Sequence, residues 1–118
     1  MTNDRNTIST HVLDTALGRP ATGIFVTLEQ LDHNGVALPV GSGTTDANGR
    51  VADMLAAGDE LDIGTYRLRF ATRPYFEAAE RESFFDDVTV CFRVARGGQH
   101  YHVPLLLSPF GFTTYRGS

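Results

Sequence analysis

The chain has 118 residues, 42% of them hydrophobic and 20% charged, with a formal charge of −4; these are the proportions of one globular domain, spanning 1–118, that buries a core without disulfides or metal. All ten positive side chains are arginines and they form no block or stripe, so no nucleic-acid partner is expected. The opening MTNDRNTIST has no apolar leader core, no run of about 18 apolar residues offers a membrane span, and the single Cys91 cannot form an internal disulfide, which makes a cytoplasmic location the default expectation.

Strand signals dominate from the start. Residues 7–15 alternate, with Ile8 and Val12 on one side and Ser9, His11 and Leu13 on the other. A Gly- and Pro-containing turn at 17–23 leads into residues 24–31, where Ile24, Val26 and Leu28 fall in step. Asn34-Gly35 is a hairpin signal, and residues 36–45 read as the returning strand, with Pro39 implying an edge or a bulge. Residues 46–49, Asp-Ala-Asn-Gly, form a tight turn that sets Arg50 at the start of a strand; the turn lacks the acidic run and closing Glu of a calcium loop. Residues 64–70 place Tyr66, Leu68 and Phe70 on one face and Arg67 and Arg69 on the other. Residues 72–82 are the one helical candidate, with Thr72 as a possible cap and Pro74 in the first turn. Residues 87–94 put Val88, Val90, Phe92 and Val94 together, with Cys91 opposite them as an expected packed, inert residue. After a turn at 95–99, residues 100–107 form the next strand, and 108–111 turn it back into FTTYRGS. Seven or eight short strands with one short helix predict a two-sheet β-sandwich, with a small barrel as the alternative.

The strand at 100–107 raises the functional question. Tyr101, Val103, Leu105 and Leu107 fill one face, so His100 and His102 share the other, about 6.5–7 Å apart along the strand. His11 is outward by the same argument, and His33 lies in a polar turn with no role assigned. Three readings of these imidazoles stand side by side: solvated or interface histidine; a three-imidazole zinc set of His11, His100 and His102, for which no orienting carboxylate is placed by the sequence; and metal-free acid–base chemistry.

A resemblance separates them. HVLDTALGRPA (11–21), TDANGR (45–50) and HYHVPLLLSPFGFTTYRGS (100–118), in that order, resemble the transthyretin-like family, and more closely its 5-hydroxyisourate hydrolase branch. LLSPFGF is similar to the LLSPYSY of the thyroid-hormone carrier that shares the fold, but the His of HVLD and the final YRGS side with the hydrolases. Asp86, where proline is expected, and Phe112, where tyrosine is common, depart from the pattern outside the catalytic set. The resemblance implies a transthyretin-like sandwich; a catalytic set of His11, Arg50 and His102; a substrate pocket lined by Tyr115, Arg116, Gly117 and Ser118; and a homotetramer, a dimer of dimers, with the outward histidines walling a channel between dimers. It implies no cofactor and no metal, and a small-molecule substrate with no nucleic acid and no membrane.

The implied reaction opens a ring of 5-hydroxyisourate during urate degradation, giving 2-oxo-4-hydroxy-4-carboxy-5-ureidoimidazoline. Water must lose a proton, the carbonyl oxygen must be stabilised as negative charge develops, and the leaving nitrogen needs a proton. His102 or His11 suits the first task, the other imidazole the third, and the planar, permanently charged Arg50 the second. Ser118 reads as a group that holds substrate or orients a ring rather than as a nucleophile; Tyr115 is open between substrate contact and interface packing. A small-ligand carrier using the same channel is the rival function.

Overall fold

The alternating segments assemble into two sheets. The computed structural model describes residues 6–52, 54–55 and 61–118; residues 1–5, the first part of the segment expected to lack a leader, lie outside them. In chain order the elements are β1 (Thr7–Asp14), β2 (Arg19–Pro20), β3 (Phe25–Leu31), β4 (Ala37–Thr44), β5 (Arg50–Val51), β6 (Gly64–Phe70), α1 (Thr72–Ala78), β7 (Val88–Val94), β8 (His100–Ser108) and β9 (Gly111–Thr114). One sheet runs β2-β1-β8-β9, with β5 also paired to β1; the other runs β4-β3-β6-β7. This is the expected sandwich rather than a barrel. The nine described strands exceed the expected seven or eight because β2, inside the segment read as a turn, and β5 are only two residues long, too short to show alternation.

The core forms where the inner faces meet. Ile8, Val12, Val26, Leu28, Tyr66, Leu68, Phe70, Val88, Val94, Tyr101, Val103, Leu105 and Leu107 are all buried in one cluster, the set that the period of two selects. Fully burying such a side chain stabilises by about 1.5–3 kcal/mol, so a one-residue slip that exchanged the faces would be heavily penalised. Pro39 sits on the edge strand β4, where the register skips Val40 between partners Leu28 and Glu29; both halves of the Pro39 expectation are met. The hairpin before β4 is tied by Asp32, whose Oδ1 accepts from the N–H groups of Asn34 (2.8 Å) and Val36 (2.9 Å), with Gly35 at φ 79°.

Three local expectations are corrected. Thr72 does not cap α1: Ala71 occupies that position without a side-chain hydrogen bond, and Thr72 is buried in the first turn. The helix stops at Ala78 rather than running to 82. Glu80 adopts φ 53°, and the Glu80 and Arg81 N–H groups bond the carbonyls of Glu77 and Phe76, the paired bonds that close a helix through a left-handed residue. That ending turns Arg81 back onto β1, where its Nη1 lies 2.7 Å from Oδ2 of the fully buried Asp14 and its guanidinium sits over the Phe76 ring. Tyr75 Oη donates to the same carboxylate at 2.8 Å, and the Ala16 and Leu17 N–H groups complete its partners. Burial pushes the Asp14 carboxyl up, but the bonds from Arg81, Tyr75 and Leu17 together hold it below the usual carboxylate range. Cys91 is exposed rather than packed, because it lies on the outer face of the terminal strand β7. Among the described residues no helix is long and apolar enough to cross a membrane.

Candidate functional site

The outer face of the five-stranded sheet gathers the polar groups. β1 presents Thr7, Ser9 and His11 there, half-buried between the buried Ile8, Thr10 and Val12. Its parallel pairing with β8 sets Thr7 opposite His100, Ser9 opposite His102 and His11 opposite Pro104. On the other side of β1, the short β5 sets Arg50 opposite His11. Three stretches distant in sequence thereby present imidazole, imidazole and guanidinium on one surface.

The turn before β5 is what aims Arg50. Asp46 Oδ1 accepts from the N–H groups of Asn48 (2.8 Å) and Arg50 (3.0 Å), and the Asp46 N–H returns a 3.0 Å bond to the Arg50 carbonyl. Gly49 has φ 76°, its carbonyl accepts from Val12 N–H at 2.7 Å, and a Cβ there would lie 2.4 Å from the Val12 carbonyl oxygen. Only glycine permits this approach, and the approach seats the turn against β1 next to His11. The Asp46 carboxyl is held low, first by the N–H groups of Arg50 and Asn48 and then by the charges of Arg50 and His11. Among the described residues the Arg50 guanidinium makes no hydrogen bond or ion pair, so its planar donor fork is open to a ligand.

His102 is fixed on one side by Ser9, whose Oγ lies 2.8 Å from its Nδ1. The same hydroxyl lies 2.8 Å from Nε2 of His100, whose Nδ1 is 2.6 Å from Thr7 Oγ1. The two rings are nearly parallel, with centroids 6.4 Å apart. Burial pushes the His102 imidazole below its ordinary pKa, and the neighbouring His100, Arg50 and His11 add to the shift by disfavouring another positive charge. Both effects favour the neutral imidazole, and among the described residues Nε2 is left over for chemistry.

The terminal segment closes over this ring. Gly117 bridges His102, its N–H donating to the His102 carbonyl at 2.8 Å. A Cβ at Gly117 would stand 2.6 Å from His102 Cδ2 and 3.3 Å from Pro104 Cγ, so the imidazole packs into the space a side chain would fill. Ser118 follows, exposed at the same end. Arg116 points the other way, as alternation requires: its guanidinium lies 4.6 Å over the Tyr101 ring and donates to Gln99 Oε1 at 2.8 Å, on the opposite face of the sheet from the imidazoles. Tyr115 and Arg116 instead line a cavity of about 180 Å³ together with Val90, Phe92 and Thr114.

Sequence reasoning did not single out Ser9 and Thr7, the groups that hold the imidazoles. Their signal was present in the alternation, which put Ser9 on the face of His11, but the orienting group was sought among carboxylates and is a hydroxyl. His11, His100 and His102 do not converge as a metal set: among the described residues no three His, Cys, Asp or Glu side chains are grouped to hold an ion.

Comparison with known proteins adds to this geometry. The model of the HIUase/Transthyretin family matches residues 8–117. The 5-hydroxyisourate hydrolase of Ralstonia nicotianae is 43% identical over 115 residues, covering 94% of this chain and 97% of that one. The structure of Klebsiella pneumoniae 5-hydroxyisourate hydrolase superposes with a TM-score of 0.80 at 38% identity, over 95% of this chain and 99% of that one. Sea bream transthyretin in complex with thyroxine gives a TM-score of 0.87 at 28% identity, over 94% of each chain.

Proposed function

The chain belongs to the HIUase/Transthyretin family, and from that premise we propose that it hydrolyses 5-hydroxyisourate to 2-oxo-4-hydroxy-4-carboxy-5-ureidoimidazoline in urate degradation, by acid–base chemistry at His11, Arg50 and His102 without a metal. The observation that carries the reading is the meeting of two imidazoles and a guanidinium, unpaired among the described residues, on one sheet face, through the registers of β1 with β8 and with β5. A carrier of the transthyretin type accounts for the fold but gives no reason for that constellation.

In this mechanism the neutral His102 takes the proton of the attacking water at Nε2, a contribution of about 10²–10⁴-fold. Arg50 donates to the oxygen on which charge develops; one preorganised donor of this kind is worth roughly 3–4 kcal/mol in the transition state. His11, paired with Arg50 across β1 and β5, gives a proton to the leaving nitrogen. Gly117 borders the His102 ring, and it and Ser118, the next residue, contact substrate. Tyr115 and Arg116 set the path of the segment, Arg116 anchoring it on Tyr101 and Gln99.

The protein works as a cytoplasmic homotetramer, a dimer of dimers. Support comes from the edges of β7 and β9, unpaired among the described residues, which invite pairing with another copy, and from the exposed Phe84, Phe110, Phe112 and Tyr115, with the rings of Phe84, Phe85 and Phe112 in edge contact.

The test generates the substrate in place with urate oxidase and follows its absorbance. Added protein should speed the decay; His102→Asn should slow it by about 10² or more without loss of fold, and a chelator should change nothing. Tight binding of an aromatic ligand with no acceleration of decay would favour the carrier.

A further inference from the structure

The proposed reaction uses one nitrogen of His102 and leaves unexplained what lies behind the other. Behind it is a continuous chain: His102 Nδ1, Ser9 Oγ at 2.8 Å, His100 Nε2 at 2.8 Å from the same oxygen, and Thr7 Oγ1 at 2.6 Å from His100 Nδ1. It starts at the half-buried His102 and runs through the exposed His100 to the half-buried Thr7. We propose that Ser9 and His100 are positioning residues that form a hydroxyl–imidazole relay, setting which nitrogen of His102 carries the proton and coupling that ring to solvent. The proposal rests on the hydrolase reading of His102.

The argument follows from counting protons. A neutral imidazole has one N–H and one lone pair, and a hydroxyl has one proton to give. Ser9 contacts two ring nitrogens and has one proton, so it cannot donate to both, and as a relay it donates to one and accepts from the other. Such a relay has two directions. In the first, His102 Nδ1–H donates to Ser9, Ser9 donates to His100 Nε2, and His100 Nδ1–H donates to Thr7. His102 Nε2 then holds a bare lone pair and is a base. In the second, every bond is reversed, and His102 carries its proton on Nε2 as a donor.

One turn of chemistry converts the first direction into the second. His102 Nε2 takes a proton from water and Nδ1 releases its own to Ser9. Ser9 passes its proton to His100 Nε2, His100 passes its Nδ1 proton to Thr7, and the Thr7 hydroxyl proton leaves to solvent. One proton enters and one leaves, so the imidazole never holds a full positive charge beside Arg50. That matters because, among the described residues, the charged and titratable groups facing His102 are His11 on β1, Arg50 on β5 and His100 on its own strand, with Asp46 in the turn before β5 held by N–H groups of its own turn.

The test uses Ser9→Ala, Ser9→Thr and His102→Asn in the full chain. Ser9 lies on the outer face, outside the core cluster, and Ser9→Thr keeps the hydroxyl. Without substrate, ¹⁵N NMR of the imidazoles should find His102 as a single Nδ1–H tautomer in the parent, shifted toward the Nε2–H form favoured by free histidine in Ser9→Ala, and restored in Ser9→Thr. With substrate, Ser9→Ala should lower kcat by about tenfold or more with KM within about twofold, and displace the acid limb of the pH profile; Ser9→Thr should recover most of kcat. A folded Ser9→Ala protein with parental tautomer, kcat and pH profile overturns the relay. Failure of the functional reading looks different: a parent chain that does not accelerate decay, or His102→Asn at full turnover, defeats the hydrolase assignment, while the substrate-free tautomer still decides the relay.

Discussion

Gly117→Ala is the sharpest test of the site geometry, because the perturbation is one methyl group whose position is set by the backbone. The added Cβ would stand 2.6 Å from His102 Cδ2 and 3.4 Å from His102 Cγ. Carbon atoms rest at about 3.5–4.0 Å, so ring and segment must separate by about 1 Å. Pro104 Cγ, 3.3 Å from the same Cβ, blocks sideways relief, and the bond from Gly117 N–H to the His102 carbonyl holds the segment down. A 1 Å misplacement of a reacting group costs up to about 10² in rate, or about 2.7 kcal/mol of barrier. The assay is turnover of freshly generated 5-hydroxyisourate with both chains at equal concentration, beside a thermal melt. The expected result is kcat lowered by about 10² with a melting temperature within a few degrees of the parent, since residue 117 is outside the core. Parental kcat for Gly117→Ala would refute the reasoning: either the segment lifts freely or the ring position does not govern the rate.

Three further outcomes follow from named contacts. The acid limb of kcat/KM should have its midpoint below the ordinary histidine value of 6.5, because burial and the neighbouring positive groups keep His102 neutral; the same depression means that below pH 6.5 the unfolded chain binds a proton the native chain refuses, so stability should fall as pH drops through that range, as measured by denaturant titration. Arg81→Ala leaves the buried Asp14 carboxylate without its cation, a loss of roughly 3–5 kcal/mol; at about 2.1 cal/mol/K of unfolding entropy per residue, calorimetry should show melting lower by roughly 12–20 °C. Asp46→Ala removes the acceptor of the Arg50 and Asn48 N–H groups and should lower kcat/KM by loosening Arg50, while an Asp46→Asn chain, which keeps the acceptor oxygen, should stay near the parent in the same assay.

The sequence by itself determined what is local. A period of two put Tyr101 and Val103 inward and His100 and His102 outward, and set His11 on the face of Ser9. Asp32-His33-Asn34-Gly35 and Asp46-Ala47-Asn48-Gly49 announced their turns because the carboxylate bonds N–H groups two and four residues on. Arg50 at the start of a strand followed from that chemistry. The motifs carrying the family resemblance were legible for a different reason: they are strings of residue types, and need no folding to be compared.

Tertiary structure decided which groups meet. Alternation assigns a face but not a neighbour, and the neighbour of His102 is Ser9, 93 residues away, through a parallel pairing that no local pattern encodes. The same limit hid the early end of α1, whose left-handed Glu80 turns Arg81 toward Asp14, 67 residues off, and the two-residue β5, too short to alternate yet the element that brings Arg50 to His11. Arg116 and Gly117 are adjacent in sequence but separated by the sheet, one lying on Tyr101 and the other on His102. Backbone preferences and turn chemistry act over a few residues and can be read along the chain. Register between distant strands is fixed by the sum of the burial it achieves, and exists only once the sandwich has closed.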